Sequence, residues 1–295
     1  MIVSASYRTD IPAFYADWFL NRVAAGAVRF RNPFGGGIVT VSLKPADVSG
    51  IVFWTRNFAP LLERLGPVAE RGWPFVVQFT VTGYPRPLEP STIRAEDAAA
   101  QIARIARRFG PRAAVWRYDP VLLSALTGPD WHRDAFARIA GMLRGHVDEA
   151  VISFVEPYRK TRRNLDRLAR DAGLDWRLPE PEEKADIVRD LAAVAGDAGM
   201  ALTLCTQPAL AERVAGIAAP ARCIDAGRLG DVAGRPVIAP AKGNRPGCLC
   251  AASRDIGAYD TCPHGCAYCY AVADRARAKA AYAAHDDSAE MLGVR

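Results

Sequence analysis

The chain has 295 residues, a formal net charge of +6 and a pI near 9.0, and half of its residues are hydrophobic. This composition predicts an ordinary buried core, and there is no run of about 18 apolar residues that would span a membrane. Because the first residues, MIVSASYRTD, lack a basic segment followed by an apolar stretch, we expect a cytoplasmic protein without a membrane partner. The positive charge is compatible with an anionic small molecule, a nucleotide or a nucleic acid as substrate.

Short apolar runs alternate with longer segments of helical periodicity along the first part of the chain. Strands are predicted at Ile2–Ser6, Ile51–Trp54, Phe75–Val81, Ala114–Arg117, Val151–Val155 and Leu202–Cys205. Helices are predicted at Pro12–Ala25, Phe58–Arg71, Thr92–Phe109, Trp131–Leu143, Lys160–Asp171 and Pro181–Ala198, with a short one after Pro208. A hairpin with arms at Val28–Phe30 and Ile38–Leu43 interrupts the first unit, with NPFGGG between its arms.

This alternation predicts a parallel sheet, because each parallel strand pair needs a crossover connection. A doubly wound open sheet and a (β/α) barrel both fit the alternation. The barrel is favoured because each strand is followed by polar or aromatic residues, and strand ends of this kind meet at one mouth in barrels. We therefore expect a cofactor or ligand to be bound by Arg8, Asp10, Arg56, Asn57, Gln78 and Arg117. The catalytic candidates at the same mouth are Asp119, Glu156 and Cys205. The two carboxylates are expected to be desolvated there.

The amino-acid composition of the chain changes after residue 217. Residues 1–217 are predicted to form the barrel, and residues 218–295 begin with a connector rich in Gly, Pro and Ala. A cysteine-rich module follows at Cys248–Cys269, and a final helix is expected near Ala271–Ala284. The basic stretch YRKTRRNLDRLARD carries Leu165 and Leu168 at helical spacing, which is more typical of a solvated helix face than of a nucleic-acid contact.

Five of the seven cysteines fall within 22 residues, a density that indicates a metal site rather than packing. They are Cys248, Cys250, Cys262, Cys266 and Cys269. A zinc site would use paired ligands, and the pairs CLC and CAYC, or His264, are available for it. An iron–sulfur cluster is the second candidate, and the C-x3-C-x2-C spacing of the last three thiols leaves one iron of a cubane without a cysteine ligand.

The segment CPHGCAYCYA resembles the cluster loop of the radical S-adenosylmethionine superfamily, especially its spore photoproduct lyase-like branch. The resemblance implies that Cys262, Cys266 and Cys269 hold a [4Fe–4S] cluster. It implies that the free iron binds S-adenosylmethionine, whose reduction gives a 5′-deoxyadenosyl radical, and that Tyr268 lies near the adenine. An electron donor such as a flavodoxin or a ferredoxin is then needed.

Several motifs in order also resemble the uncharacterised family called domain of unknown function eighteen forty-eight. They run from about Ile2 to Ala273 and read RNPF, VFWTRN, QFTVTGY, RYDP, ISFVEPY, CID and DIGAYDTCPHGCAYCYA. That family supplies no established reaction.

The cysteine loop is in an unusual place for a radical enzyme, since about 260 residues precede it instead of one barrel strand. A circular permutation would explain this position, with the segment before Cys262 supplying the first barrel strand. The expected fold is therefore a partial or permuted TIM-like (β/α) barrel that the cysteine module completes. Cys248 and Cys250 are further metal ligands that either fill the open iron or bind a second metal.

The expected function is that of an iron–sulfur enzyme of the radical S-adenosylmethionine type with an unidentified substrate. Two alternatives remain at this point. One is a redox enzyme with a fully cysteine-ligated cluster. The other is a zinc-stabilised, basic nucleic-acid-binding protein.

Overall fold

The computed structural model describes residues 1–33 and 35–293. Phe34, which ends the RNPF motif, and residues 294–295 lie outside the described part of the chain. The strands are β1 Ile2–Ala5, β2 Ala27–Arg31, β3 Ile38–Ser42, β4 Gly50–Thr55, β5 Phe75–Thr80, β6 Ala114–Val121, β7 Leu123–Ser124, β8 Glu149–Phe154, β9 Trp176–Arg177, β10 Ala201–Leu204, β11 Ala219–Pro220 and β12 Ser253–Asp255.

Helices connect many of these strands, together with a 3-10 turn at Pro111–Ala113. They are α1 Ile11–Phe14, α2 Ala16–Ala25, α3 Ala59–Leu62, α4 Gly66–Glu70, α5 Ala95–Phe109, α6 Pro129–Leu143, α7 Arg159–Ala172, α8 Pro181–Asp197, α9 Pro208–Arg213, α10 Ala226–Ala233 and α11 Arg275–Ala283. Within the described residues, no helix is both long and apolar enough to cross a membrane.

Eight strands form one parallel sheet in the order β11-β10-β8-β6-β5-β4-β1-β12. From β1 to β11 the order follows the chain without reversal, while β12 pairs in parallel with β1 at the opposite edge, Ile2 facing Ser253. The six predicted strands and the parallel sheet are confirmed. The predicted hairpin is confirmed too, since β2 and β3 pair antiparallel apart from the main sheet.

The two faces of the sheet are covered by different parts of the chain. Alternate strand residues such as Phe53, Val77 and Trp116 belong to the larger core, which also contains the buried faces of helices α5, α6 and α8. The residues between them, such as Val52, Val76 and Val115, pack on the segment from Ala221 to Ala251. Both faces are thus buried, which explains why the strands read as nearly continuous apolar runs.

The glycine-rich segment after residue 217 contains more structure than its periodicity indicates. Strand β11 extends one edge of the sheet, helix α10 packs against the face that carries Val52, and β12 extends the other edge. Each of these elements is short and surrounded by Gly and Pro, so its residues are too few to show a helical or strand periodicity in the sequence. The final helix, expected from Ala271, begins only at Arg275 because the preceding residues belong to the cysteine loop.

Two predicted helices are broken. The segment Pro12–Ala25 divides into α1 and α2 at Tyr15, whose buried hydroxyl donates a hydrogen bond to the carbonyl of Thr261 at 2.6 Å. The segment Phe58–Arg71 divides at residues 63–65, and Pro67 lies in the first turn of α4, where a missing backbone N–H is tolerated.

His132 is a buried histidine of helix α6. It lies fully buried on the inner face of α6, where its ring atoms are 2.8 Å from the Tyr118 hydroxyl and 3.0 Å from the Leu122 carbonyl. Burial lowers the pKa of His132 to about 4, so the ring is neutral near pH 7.

Candidate functional site

The cysteine loop, residues 256–274, starts where β12 ends beside β1. The carboxylate of Asp255, the last residue of β12, accepts hydrogen bonds from the hydroxyls of Ser4 at 2.7 Å and Ser6 at 2.6 Å. It also accepts from the backbone N–H groups of Tyr7 and Gly257. This buried carboxylate therefore fixes where the loop leaves the sheet relative to the end of β1.

The middle of the loop contacts the segments that follow β4 and β5. The backbone N–H of Ala267 donates to the carbonyl of Leu88 at 2.9 Å. The Tyr268 hydroxyl donates to Glu89 and accepts from Arg56, and Arg56 Nη1 lies 2.8 Å from Glu89 Oε1. Although burial opposes its charge, Glu89 and Tyr268 hold the pKa of Arg56 well above its usual value. The buried ion pair of Arg56 and Glu89, together with the Tyr268 hydroxyl, thus fixes the loop at the carboxyl end of the sheet.

A second set of contacts that holds the loop involves His264 and Asp10. The His264 Nε2 atom lies 2.8 Å from Asp10 Oδ2, and its Nδ1 atom lies 3.2 Å from the carbonyl of Ser91. Asp10 also accepts from the Thr55 hydroxyl at 2.7 Å and from the backbone N–H of Arg56 at 2.7 Å. Asp10 therefore joins the ends of β1 and β4 to the cysteine loop.

The basic helix α7 borders the loop on its far side. Thr161 donates to the carbonyl of Tyr268 at 3.2 Å, Asn164 donates to the carbonyl of Val272 at 3.2 Å, and Lys160 lies 3.4 Å from the Asp260 carboxylate. The expectation that this stretch is only a solvated face was therefore incomplete, because one side of α7 holds the loop.

The three thiols of the loop are half-buried. Burial raises the pKa of Cys262 well above its usual value, and Asp10, Cys269 and Cys266 raise it further. Burial also raises the pKa of Cys266, to about 12, against the opposing charge of Arg56. In the described part of the chain, no three or more His, Cys, Asp or Glu side chains already stand in an arrangement that could hold a metal ion.

Next to the loop, on the sheet face that carries Val76 and Val115, lies a layer of polar side chains. Arg117 donates to Gln78 Oε1 at 3.2 Å and also to Asp119, whose other oxygen accepts from Ser153. The guanidinium of Arg117 lies 5.1 Å from the ring centre of Trp54. Three of the predicted site residues, Gln78, Arg117 and Asp119, are thus joined in one hydrogen-bonded group.

The other four cysteines form a separate group, which we call the inner thiols: Cys205, Cys223, Cys248 and Cys250. The Cys223 thiol donates to Cys205 Sγ at 3.5 Å and accepts from Arg117 Nη1 at 3.0 Å. The hydrogen bond with Cys223 and burial both raise the pKa of Cys205.

Other predicted site residues have different surroundings from those expected. Glu156 is exposed and accepts from Gln207 at 3.2 Å, so the expectation that it would be desolvated was wrong. It stands just past β8, where the chain turns outward. Arg8 is buried, and its guanidinium lies 3.6 Å from Asp255. The amide of Asn57 accepts from Gln101 at 2.9 Å at the start of α3.

Sequence reasoning missed Glu89 and Asp255, the two carboxylates that position the loop. Glu89 lies in a loop after β5, inside the polar stretch PRPLEP, where nothing separates it from a surface residue. Asp255 ends a strand of three residues whose apolar signal is too short to detect. Both were missed because their burial depends on distant parts of the chain: the cysteine loop for Glu89 and the end of β1 for Asp255.

The fold and site together define an α/β protein with a parallel eight-stranded sheet and a cysteine loop at its carboxyl end. Residues 2–271 match the family model described as Domain of unknown function (DUF1848), and the chain belongs to this family.

A comparison with curated proteins gives no match. Among solved structures, the chain is similar to a triazine hydrolase from Arthobacter aurescens modified for maximum expression in E. coli, with 12% identity and a TM-score of 0.30. The match covers 86% of this chain and 59% of that one. A similarity at this level carries no argument about function.

Proposed function

We propose that the protein is an iron–sulfur enzyme of the radical S-adenosylmethionine type on a circularly permuted (β/α) barrel. The observation that carries the proposal is the position of the cysteine loop. It follows a strand paired in parallel with β1 and lies over the carboxyl ends of β1, β4 and β5. Active sites of (β/α) barrels occur at that end.

The strand order supports the barrel. In a singly wound barrel, consecutive strands are neighbours in the sheet. The strands from β1 to β11 follow this rule once the separate two-stranded sheets β2-β3 and β7-β9 are left out. Placing β12, the cysteine loop and α11 before β1 restores the order strand, loop, helix, strand for the whole sheet. Under this proposal residues 218–295 complete the same barrel that residues 1–217 begin.

The chemistry of the donor set fits a [4Fe–4S] cluster. Cys262, Cys266 and Cys269 are three half-buried thiols of one loop, and thiolates are the ordinary ligands of such clusters. When bound, the cluster supplies the electron that cleaves S-adenosylmethionine to a 5′-deoxyadenosyl radical. The chain's own residues fix the loop and keep water away from it.

Each neighbour of the loop has a positioning role in this proposal. Arg56, Glu89 and Tyr268 hold the second and third cysteines, while Asp10 and His264 hold the first. Arg117 and Asp119, next to the loop, are polar groups available to orient a substrate. Arg56 and Arg117 favour a ligand that carries a carboxylate or a phosphate.

The test is an anaerobic isolation with reconstitution, followed by incubation with S-adenosylmethionine and a low-potential reductant. We expect about four irons per chain, brown colour and formation of 5′-deoxyadenosine. The variant Cys266→Ser should lose both the iron and the nucleoside product. Cys248→Ser is the matched control and should retain both. Colourless protein that takes up no iron on reconstitution would contradict the proposal.

A further inference from the structure

The inner thiols come from three separate parts of the chain and meet on one face of the sheet. Cys205 follows β10, Cys223 follows β11, and Cys248 and Cys250 lie in the segment before β12. The sulfur atoms of Cys205 and Cys223 are 3.5 Å apart, and Cys250 is buried in the same apolar cluster as Cys223. Cys248 packs against the same apolar cluster as the other three.

This group is distinct from the thiols of the cysteine loop. The inner thiols pack with Val115, Val151 and the segment Ala221–Ala251. Cys266 packs instead with Tyr268, Tyr84 and Leu88. Cys248 and Cys250 thus pack in the same cluster as Cys223 and Cys205, and the pairing of CLC with CAYC that a zinc finger would use is absent from the described contacts.

Positive and polar donors surround the inner thiols. Arg117 Nη1 donates to Cys223 Sγ at 3.0 Å, and Arg245 Nη2 donates to Cys205 Sγ at 3.9 Å. The backbone N–H of Ile224 donates to Cys250 Sγ at 3.3 Å. Four thiolates around a divalent ion carry a net charge of −2, which is offset in part by Arg245 and by Arg117, although Arg117 also pairs with Asp119. Donors of this kind are typical outer-shell partners of thiolate metal sites.

The spacing favours one metal ion over a cubane cluster. Two thiolates on one tetrahedral zinc are about 3.8 Å apart, given a Zn–S bond of about 2.3 Å. The 3.5 Å between Cys205 and Cys223 is close to this value. Thiolates at different corners of a cubane stand farther apart, because each lies outside its own iron.

The turn that carries Cys248 is built for close approach. At Gly243, a Cβ atom would lie 2.2 Å from the carbonyl oxygen of Cys248, so glycine is required there. The backbone N–H of Cys248 donates to the carbonyl of Arg245 at 3.1 Å. Cys248 and Cys250 are two residues apart in this segment, and both pack in the apolar cluster that contains Cys205 and Cys223.

We propose that Cys205, Cys223, Cys248 and Cys250 form a second metal site that takes one zinc ion. Tetrahedral four-thiolate shells are characteristic of structural zinc. Binding releases the thiol protons to solvent as the four Zn–S bonds form, with no change of oxidation state. The ion joins the ends of β10 and β11 to the glycine-rich segment that covers one face of the sheet. The site does not depend on the function proposed for the cysteine loop.

The experiment measures zinc and iron together in the full-length chain after anaerobic isolation and exchange into a weak chelator. We expect about one zinc per chain. Cys223→Ser and Cys250→Ser should each weaken zinc affinity by more than the roughly 10–100-fold that loss of an outer-shell contact costs. Cys266→Ser is the matched control and should retain zinc. This separation distinguishes the inference from the proposed function, which depends on iron at the other three thiols.

A second measurement covers the case in which those variants fail to fold. Co²⁺ added to the unchanged chain in place of zinc should give the intense visible bands of a tetrahedral thiolate site, and added Zn²⁺ should abolish them. Four results would each overturn the assignment. Two concern zinc: zinc that persists in Cys223→Ser, or the absence of both zinc and the cobalt bands. The other two are a Cys205–Cys223 disulfide found by mass spectrometry and iron bound by these four thiols.

Discussion

The Arg56–Glu89 pair should contribute strongly to stability, and Glu89→Gln tests this contribution. The substitution keeps an oxygen that can accept from Thr82 and Tyr268 but removes the negative charge 2.8 Å from Arg56 Nη1. The side chains are only 11% and 3% exposed, so an uncompensated guanidinium remains buried. Breaking such a pair should lower the free energy of unfolding by about 3–5 kcal/mol. Urea unfolding followed by circular dichroism measures the change.

The matched control is Glu183→Gln, which breaks the exposed pair with Arg177 and should cost about 0.2–1 kcal/mol. The double variant Arg56→Met, Glu89→Leu leaves no buried charge, so it should be less destabilised than the sum of its two single variants. If Glu89→Gln lowers the free energy of unfolding no more than Glu183→Gln does, the buried Arg56–Glu89 pair contributes no more than a surface pair, and the reasoning is refuted.

Two further predictions concern pH and packing. Because the pKa of His132 is about 4 in the folded chain against an ordinary 6.5, its contribution to stability is present above pH 6.5 and is lost as the pH falls towards 4. Urea unfolding should show that the free energy of unfolding is about 2 kcal/mol lower at pH 4.5 than at pH 7, and that this decrease is absent in His132→Gln. An equal decrease in that variant would exclude His132 as its source. Gly257→Ala places a Cβ atom 2.1 Å from the Ser6 hydroxyl and should cost about 1–3 kcal/mol, again measured by urea unfolding. Gly141→Ala, which meets nothing within 4 Å, should be neutral or stabilising, and equal stabilities would contradict the proposed junction of β12 with β1.

Much of the sheet could be predicted because its strands are local apolar runs. Val76–Val77 and Val151–Ile152 are buried on both faces, which leaves a continuous hydrophobic signal in the sequence. The proximity of Gln78 and Arg117 followed as well, since parallel strands that are neighbours bring corresponding residues together. Cysteine spacing alone identified the loop as a metal-site candidate.

Only the tertiary structure decided which thiols meet and which carboxylates are buried. Cys205 and Cys223 are separated from Cys250 by 45 and 27 residues, and their grouping results from strand order, which no local pattern encodes. Glu89 looks like a surface residue until the distant cysteine loop covers it, and Asp255 looks like one until it pairs with the end of β1. Local sequence determines a strand's period and exposure, whereas long-range contacts determine which strand ends become neighbours and which polar groups lose contact with water.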